Sequence, residues 1–426
     1  MTMSPDVPAV TTPDSQLPTR VSAPAGRALM PFLGIINFAI VSAGLGFSAV
    51  LLPNQLTLLD ADNKVSNLAL VTSVSILSAV IVQPLVGALS DRTRSRWGRR
   101  LPWMLAGGLL MAAAFCGIGL LQSVALIVLL ACVVQAGSAT ISAPLAALIA
   151  DRYEIDRRGM ASAFIGFGLN LGYAAGVIVA SMLAFNLPLA YVAFGAGLTV
   201  LLIAFVLVAR DRPNKDMAVE PFSLGSFLRS FWINPVKNPA FAWAFVARFL
   251  FILAFFIFQT YLFFIISDYL KLSLADTNSL IGLTGLASIV PAIIAGYITG
   301  ALSDKLGRRK IFLYIASALA VAGYVVLIAS PTVPALFLMT VFMGLGFGMY
   351  LASDSVVMTQ VLPNLEGSAA KDLGILNLAT LIGQSVAAIV AASAINLLGG
   401  YISMFFVAIG IAVLGALAVI PIRGVR

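Results

Sequence analysis

Two charged side chains stand inside long apolar stretches of the sequence. Arg248 lies eight residues after Ala240, and Asp354 precedes the run 355–362. At 1.5 Å per helical residue, Arg248 would lie about 12 Å from the start of its helix and Asp354 about 12 Å from the end of its helix, and both of these ends are expected on the cytoplasmic side. Opposite charges at one depth in an apolar environment favour pairing, and such groups commonly bind or move ions. We predict that Arg248 and Asp354 face a cavity and that Asp354 couples function to proton uptake.

A structural interpretation of the same residues stays open. The two side chains can form a simple ion pair. Alternatively, Arg248 can extend to the membrane interface while Asp354 caps a shorter helix. Gln259 follows Arg248 by eleven residues and therefore shares its helix face.

The composition excludes several chemistries. The chain has no histidine, which excludes a Ser-His-Asp triad, a His-ligated zinc site and an imidazole proton relay. Cys116 and Cys132 lie in apolar runs and offer neither a disulfide framework nor a CxxC site. No GxxxxGK[ST] loop is present. We therefore expect no enzyme, no metal and no cofactor, and any driving energy must come from a gradient.

Long apolar segments must position these residues. Of the 426 residues, 61% are hydrophobic and 10% are charged, against about 25% charged in soluble domains. One crossing needs about 20 apolar residues, and twelve such segments occur, split six and six by a polar stretch. The sequence predicts an all-α membrane protein with twelve transmembrane helices in two pseudo-symmetric six-helix bundles. The expected divisions are a disordered tail (1–27), a bundle (28–209), a cytoplasmic linker (210–239), a bundle (240–422) and a tail (423–426).

The distribution of Lys and Arg predicts the orientation. With the N-terminus in the cytoplasm, only Lys64 and Lys271 lie on the outer side, and Arg248 lies within a span. Because short cytoplasmic loops retain basic residues, both termini are expected in the cytoplasm of a multi-pass plasma-membrane protein. The net charge of +8 is then a topology signal that also suits anionic lipid, and nucleic acid is not expected as a partner.

An internal repeat relates the two halves. The pentapeptide GALSD occurs at 87–91 and again at 300–304, and Gly-Arg-Arg follows at 98–100 and 307–309. Such a repeat predicts two bundles related by an axis along the membrane normal. A substrate site would then lie between them near the midplane.

The segment SDRTRSRWGRRLPW at 90–103 resembles the cytoplasmic loop signature of the major facilitator superfamily. Its extended form looks most like the glycoside-pentoside-hexuronide and sucrose-transporter branch. The resemblance implies a twelve-helix transporter whose halves are locked together on the cytoplasmic side by these loops. The resemblance assigns this gate role to Asp91, Arg92, Arg99, Arg100, Asp304, Arg308 and Arg309. The alternative is that the arginines only set topology.

Two positions depart from the patterns of this superfamily. Ala146 stands in helix 4 where the sucrose-transporter branch usually has an arginine. Helix 5 carries Gly168, Gly172 and Gly176 but lacks the Gly-Pro of proton-coupled drug antiporters. Glycines at four-residue spacing suit close helix packing, which argues mildly against the antiporter interpretation.

Polar side chains recur at helical spacing inside the predicted spans, and they mark faces that avoid lipid. These stripes predict a wet cavity lined by Asn37, Gln55, Gln135, Asn170, Tyr173, Gln259, Asn377 and Gln384. The alternative is hydrogen bonding between helices of a dry bundle, worth about 0.6 kcal/mol per contact.

These features favour a secondary active transporter that moves a small organic solute by alternating access. A sugar or glycoside with proton symport is the leading hypothesis, and a proton-coupled drug or metabolite exporter is the alternative. A non-transporting membrane sensor or scaffold is a hypothesis of another class. The expected partners are the solute, protons in the symport hypothesis, and the lipid bilayer, with a monomer as the functional unit.

Overall fold

The computed structural model describes residues 29–209, 234–362 and 369–422. In this part of the chain, twelve helices are long and apolar enough to cross a membrane, and no strand occurs. The predicted all-α, twelve-helix fold class is confirmed. The predicted tails 1–27 and 423–426 lie outside the described residues, as does most of the predicted linker 210–239.

The twelve helices alternate in direction along the chain. Two of them contain π-helical segments, Phe47–Leu51 in the first and Ile265–Tyr269 in the seventh. Their bounds are α1 Leu29–Leu59, α2 Lys64–Arg92, α3 Leu101–Ile118, α4 Val124–Arg152, α5 Ile155–Leu183, α6 Leu187–Val208, α7 Pro239–Tyr269, α8 Leu274–Leu306, α9 Lys310–Ala329, α10 Val333–Gln360, α11 Ala369–Leu397 and α12 Tyr401–Val419.

Local signals set several helix ends. The Asn186 side chain accepts a hydrogen bond from the backbone N–H of Leu189 at the start of α6, and Ser273 does the same for Asp276 at the start of α8. These caps satisfy backbone donors that have no partner within the helix. Gly307, with φ of 60°, ends α8 in the left-handed conformation that favours glycine.

The two halves pack in the same pattern. In α1–α6, α1 packs on α5, α2 packs on α4, and α3 contacts α4 and α6. In α7–α12, the corresponding pairs are α7 with α11, α8 with α10, and α9 with α10 and α12. The halves meet where α2 contacts α11 and α5 contacts α8. This correspondence agrees with the sequence repeat.

Glycines allow the closest of these helix contacts. A Cβ atom at Gly168 of α5 would overlap the backbone carbonyl of Gly34 in α1, and one at Gly348 of α10 would overlap that of Ala292 in α8. Small residues let helix backbones approach in this way inside a membrane. Each half is therefore a closely packed body.

The helix ends define two faces, which we name by their loops. The basic face carries the α2–α3 loop (93–100), the α4–α5 junction and the α8–α9 loop (307–309). The opposite face carries the α1–α2 loop (60–63), the α7–α8 loop (270–273) and the α11–α12 loop (398–400).

Candidate functional site: the central cavity and its two ends

A cavity of about 700 Å³ lies between the two halves. Helices α1, α2, α4 and α5 of the first half and α7, α8, α10 and α11 of the second contribute to its wall. Its lining residues include no Asp, Glu, Lys or Arg. The cavity is therefore wide enough for a small organic molecule and carries no formal charge on its wall.

Six of the residues predicted from the polar stripes line this cavity. They are Asn37, Gln135, Asn170, Tyr173, Gln259 and Gln384. Gln55 and Asn377 are not among the lining residues. The predicted residues include all five Asn and Gln side chains of the described wall, and each half contributes to it.

Gln55 lies away from the cavity because the π-helical segment Phe47–Leu51 interrupts α1. Such a bulge adds a residue to a turn, so positions beyond it rotate relative to a regular 3.6-residue count. The Gln55 amide donates to the backbone carbonyls of Ile118 (2.9 Å) and Leu121 (3.1 Å) and accepts from the Tyr191 hydroxyl (2.7 Å). Gln55 thus ties α1 to α3 and α6 within the first half.

Several polar groups on the cavity wall have unused hydrogen-bonding capacity. The Asn37 amide donates to the backbone carbonyl of Ile165 (2.9 Å), and that of Asn170 donates to Gly166 (2.8 Å). Four of the lining residues whose side chains form no hydrogen bond within the described chain are Gln135, Tyr173, Gln259 and Gln384. Amides and a hydroxyl in this state can bind the hydroxyl groups of a solute.

Aromatic rings form another part of the wall. Phe255 of α7 and Phe347 of α10 stack with ring centroids 4.2 Å apart. Phe47, Phe256 and Tyr297 also line the cavity. The polar stripes did not reveal these rings because a phenylalanine inside an apolar span carries no contrast with its neighbours. Together the rings and amides suit a solute with both an apolar face and hydroxyl groups.

The structure brings Arg248 and Asp354 together. An Arg248 Nη1 atom lies 3.4 Å from Asp354 Oδ2, and Arg248 Nε donates to the Thr380 hydroxyl at 2.9 Å. Asp354 is 4% exposed. The pair lines a separate small pocket with Phe251 and Tyr350, outside the lining of the central cavity. It links α7, α10 and α11, and its role in proton coupling stays a prediction.

At the basic face, the predicted gate residues form a charged cluster within the first half. Arg99 donates to one oxygen of Asp151 (2.6 Å) and Arg100 to the other (2.5 Å). Arg100 also lies 3.0 Å from Asp91, whose side chain is half exposed. Arg92 donates to the Ala88 carbonyl (2.9 Å) in its own helix.

In the second half, Arg308 is exposed and Arg309 is half-buried, while the Asp304 side chain lies outside the described residues. The gate role inferred from the resemblance stays a prediction for both loops. Asp151, which was not among the predicted gate residues, is the shared acceptor of the first cluster. The sequence carries one signal for this role of Asp151, because the dipeptide Asp151-Arg152 ends α4 in the same way that Asp91-Arg92 ends α2.

The environment of Asp151 lowers its pKa. Burial alone would raise the pKa of this carboxyl, but the hydrogen bonds and charges of Arg100 and Arg99 outweigh that effect. Because the pKa of Asp151 is lower in the folded protein than in the unfolded chain, this carboxylate stabilises the fold at any pH above its pKa in the unfolded chain. The stabilisation is lost as the pH falls through the pKa that Asp151 has in the folded protein.

At the opposite face, polar contacts join the two halves directly. Lys64 of α2 forms an ion pair with Asp268 of α7 at 2.7 Å, and Asp268 also accepts from the Tyr401 hydroxyl at 2.7 Å. Asn54 and Asn278 exchange amide hydrogen bonds of 2.7 and 3.1 Å. These contacts close this end of the cavity.

Further contacts reinforce the same closure. The Asn396 amide donates to the Ser66 hydroxyl (2.9 Å), and the Ser181 hydroxyl donates to the Asn278 carbonyl. Deeper in the membrane, the hydroxyls of Ser73 and Ser385 each donate to the other's backbone carbonyl, at 2.8 and 3.0 Å.

Comparisons with known proteins agree with this architecture. The sequence matches the model of the Major Facilitator Superfamily over residues 34–299 and 276–425. The solved nucleoside transporter NupG is 15% identical, with a TM-score of 0.70 over 93% of this chain and 100% of its own. A bacterial homolog of the human lysosomal transporter Spinster, inward-facing and occupied, is 13% identical, with a TM-score of 0.71 over 94% of this chain and 97% of its own. At these identities the likeness shows the fold alone.

One curated relative matches over a short stretch. An uncharacterized symporter of Synechocystis sp. is 69% identical over 35 residues, which are 8% of this chain and 6% of that protein. The match therefore spans a small fraction of either length.

Replacing Asp151 with Asn should destabilise the protein in a pH-dependent manner. Two arginines would lose their carboxylate acceptor, and breaking a largely buried ion pair costs about 3 kcal/mol. Thermal unfolding in detergent should show a lower Tm at pH 7. The difference from the unmodified protein should shrink as the pH falls below about 4, because protonation removes the same charge. Asp276→Asn, which alters an exposed carboxyl bonded to Ser273 of its own loop, is the matched control. Equal Tm values at pH 7 would contradict the stabilising role.

Reversing one charge of the Lys64–Asp268 pair should open the opposite face. Lys64→Asp would place two carboxylates together, and restoring attraction with Asp268→Lys in the same chain should close it again. The two side chains are 17% and 26% exposed. Since a partly exposed ion pair contributes about 1 kcal/mol, we expect a several-fold change in population. Double electron-electron resonance between spin labels at positions 62 and 398 measures the separation of the halves. Asp276→Lys should leave the distances unchanged. Identical distance distributions in all variants would show that the pair does not hold this face closed.

Proposed function

The chain belongs to the Major Facilitator Superfamily, and we propose that this transporter moves a neutral, polyhydroxylated organic solute across the plasma membrane by proton symport. A glycoside is the leading solute class. The cavity between the two halves is the proposed solute site, and exchange of its opening between the two faces is the proposed mechanism.

The observation that carries this proposal is the uncharged polar wall of the 700 Å³ cavity. Transferring a charged solute into a site without a countercharge costs far more than transferring a neutral one. Free amides on α4, α7 and α11 can replace the water bound to solute hydroxyls, while Phe255 and Phe347 offer apolar ring faces. Sugars and nucleosides both combine hydroxyl groups with an apolar ring face. The nucleoside transporter among the solved neighbours is a reason to test both.

The proposed orientation places the basic face in the cytoplasm, in accord with the distribution of Lys and Arg. The closed opposite face is then the outer one, and the structure corresponds to an inward-facing state. The wall of the cavity reaches toward the basic face as far as Asn37 and the exposed Tyr297. Solute release to the cytoplasm would follow this path.

Asp354 is the proposed coupling carboxylate. It is buried, lies eight residues before the end of the apolar run at Leu362, and is beside Arg248. Protonation of Asp354 would remove one partner of the ion pair and alter the contacts between α7 and α10. The short match to an uncharacterized symporter supports symport, and the exporter of drugs or metabolites is the alternative.

Transport by purified protein in liposomes should show selectivity for neutral solutes. Labelled methyl glucoside, sucrose and uridine form the neutral panel, and glucuronate, glucosamine and uridine monophosphate are their charged counterparts. With an inward proton gradient, we expect at least one neutral solute to accumulate, at a rate exceeding its charged counterpart by about tenfold or more. Exchange of solute against protons would indicate the exporter instead. No flux for the whole panel, or preference for a charged member, would contradict the proposed solute class.

Replacing Asp354 with Asn should uncouple transport from the proton gradient. A gradient of one pH unit supplies about 1.4 kcal/mol per proton, or about tenfold accumulation. The variant should equilibrate the solute without accumulating it, while solute exchange across the membrane at equal pH continues. Asp276→Asn, which alters an exposed acidic residue in the first turn of α8, is the control. Proton-driven accumulation by Asp354→Asn equal to that of the unmodified protein would reject the coupling role.

A further inference from the structure

Helices α7 and α10 run in opposite directions and face each other through three matched pairs of side chains. On α7 the participating residues are Arg248, Phe251 and Phe255, at positions i, i+3 and i+7. On α10 they are Phe347, Tyr350 and Asp354, again at i, i+3 and i+7. Because the helices are antiparallel, the first residue on α7 pairs with the last residue on α10. Both spacings keep the three residues on one face of their helix. We call this set the α7–α10 ladder, and its rungs are Arg248–Asp354, Phe251–Tyr350 and Phe255–Phe347.

Each rung is a direct contact. The ion pair spans 3.4 Å. The rings of Phe251 and Tyr350 stack with centroids 3.8 Å apart and an interplanar angle of 7°. The rings of Phe255 and Phe347 stack at 4.2 Å and 16°. Consecutive rungs also touch, because Phe347 and Tyr350 lie 6.5 Å apart at 23°.

The two ends of the ladder lie in different environments. Phe255 and Phe347 line the central cavity. Arg248 and Asp354 lie in the separate small pocket, with the Asp354 side chain almost fully buried. The middle rung lies between them, and Phe251 and Tyr350 are 6% and 3% exposed. The ladder therefore spans the distance between the solute site and the ion pair.

Close packing makes the rungs move together. Stacked rings at van der Waals separation leave no gap into which one ring can shift without displacing the other. The hydroxyl of Tyr350 lies beside the Asp354 carboxyl and interacts with it electrostatically, so Tyr350 contacts the ion pair through its hydroxyl and Phe251 through its ring. A change in the ion pair alters the separation of α7 and α10 at one end and must be accommodated by the rings along the ladder.

We propose that the α7–α10 ladder transmits the charge state of the Arg248–Asp354 pair to the wall of the central cavity, with Phe251 and Tyr350 as its positioning residues. Linkage requires the reverse effect as well: a solute that displaces the Phe255–Phe347 rung changes the free energy of the ion pair. The relay rests on the proposed function only in treating the central cavity as the solute site.

The relay can be tested without any solute. Cys116 and Cys132 are replaced with Ser, and Leu351→Cys introduces a reporter on the cavity wall, one turn beyond Phe347 on α10. The reaction rate of this thiol with a charged maleimide is measured on the purified full chain. Asp354→Asn, which removes the charge but keeps the shape of the side chain, should change the rate by about fivefold or more, the lower range of typical coupling between sites.

Variants of the middle rung decide whether the rings carry the effect. In the Tyr350→Leu background, Asp354→Asn should change the rate by less than about twofold. Tyr350→Phe keeps the ring and should preserve the full change. Phe258→Leu removes another buried ring of α7, which packs edge-to-face against Tyr324 outside the ladder, and it should also preserve the full change. Gel filtration and Tm confirm that each variant is folded, and Phe251→Leu provides a second break of the same rung.

Two results would overturn the relay. One is no effect of Asp354→Asn on the reporter in the intact ladder, and the other is an undiminished effect in both Tyr350→Leu and Phe251→Leu. These results are independent of the solute panel. Protein that moves none of the panel solutes but shows the expected reporter rates would contradict the proposed function and support the relay.

Discussion

The cost of placing polar groups in a hydrocarbon environment governs this structure. Many polar side chains within the spans either find a protein partner or face the cavity between the halves. Gln55 has its amide satisfied by three groups, and Arg248 is held by Asp354 and Thr380. Gln135 and Gln384 have no such partner among the described residues and lie on the cavity wall. The distinction between partnered and unpartnered groups separates residues that hold the fold from those available to a solute.

The same constraint explains how much of the molecule the sequence predicts. Hydropathy and the GALSD repeat are linear signals, and they give the twelve helices and their division into halves. The depth of Arg248 and Asp354 can be counted along the chain, so their proximity could be anticipated. Contacts between side chains of neighbouring helices cannot be obtained by counting residues along the chain. The two arginines on Asp151 come from the far end of another loop, and the π-helical segment in α1 breaks the count that placed Gln55 on the cavity face.

The two faces of the molecule use charge differently. At the basic face, Arg99 and Arg100 bind Asp151 and connect three helices of one half. At the opposite face, Lys64 and Asp268 bring together helices of different halves. Charges of the first kind stiffen a body that moves as a unit, whereas charges of the second kind must separate when the cavity opens on that side. A partly exposed ion pair such as Lys64–Asp268 suits the second task because its contribution is small and water can replace the lost partner.

The absence of formal charge on the cavity wall has an electrical consequence for the proposed cycle. A neutral solute in a neutral cavity does not respond to membrane voltage. Voltage can then act on the loaded carrier through the pair of Arg248 and Asp354, which is neutral when Asp354 is ionised and carries one positive charge when Asp354 is protonated. Moving one charge through 100 mV corresponds to about 2.3 kcal/mol. Inward movement of the loaded carrier, with Asp354 protonated, would therefore generate current. The empty carrier, with Asp354 ionised, would have a neutral pair and would return without moving charge against the membrane voltage.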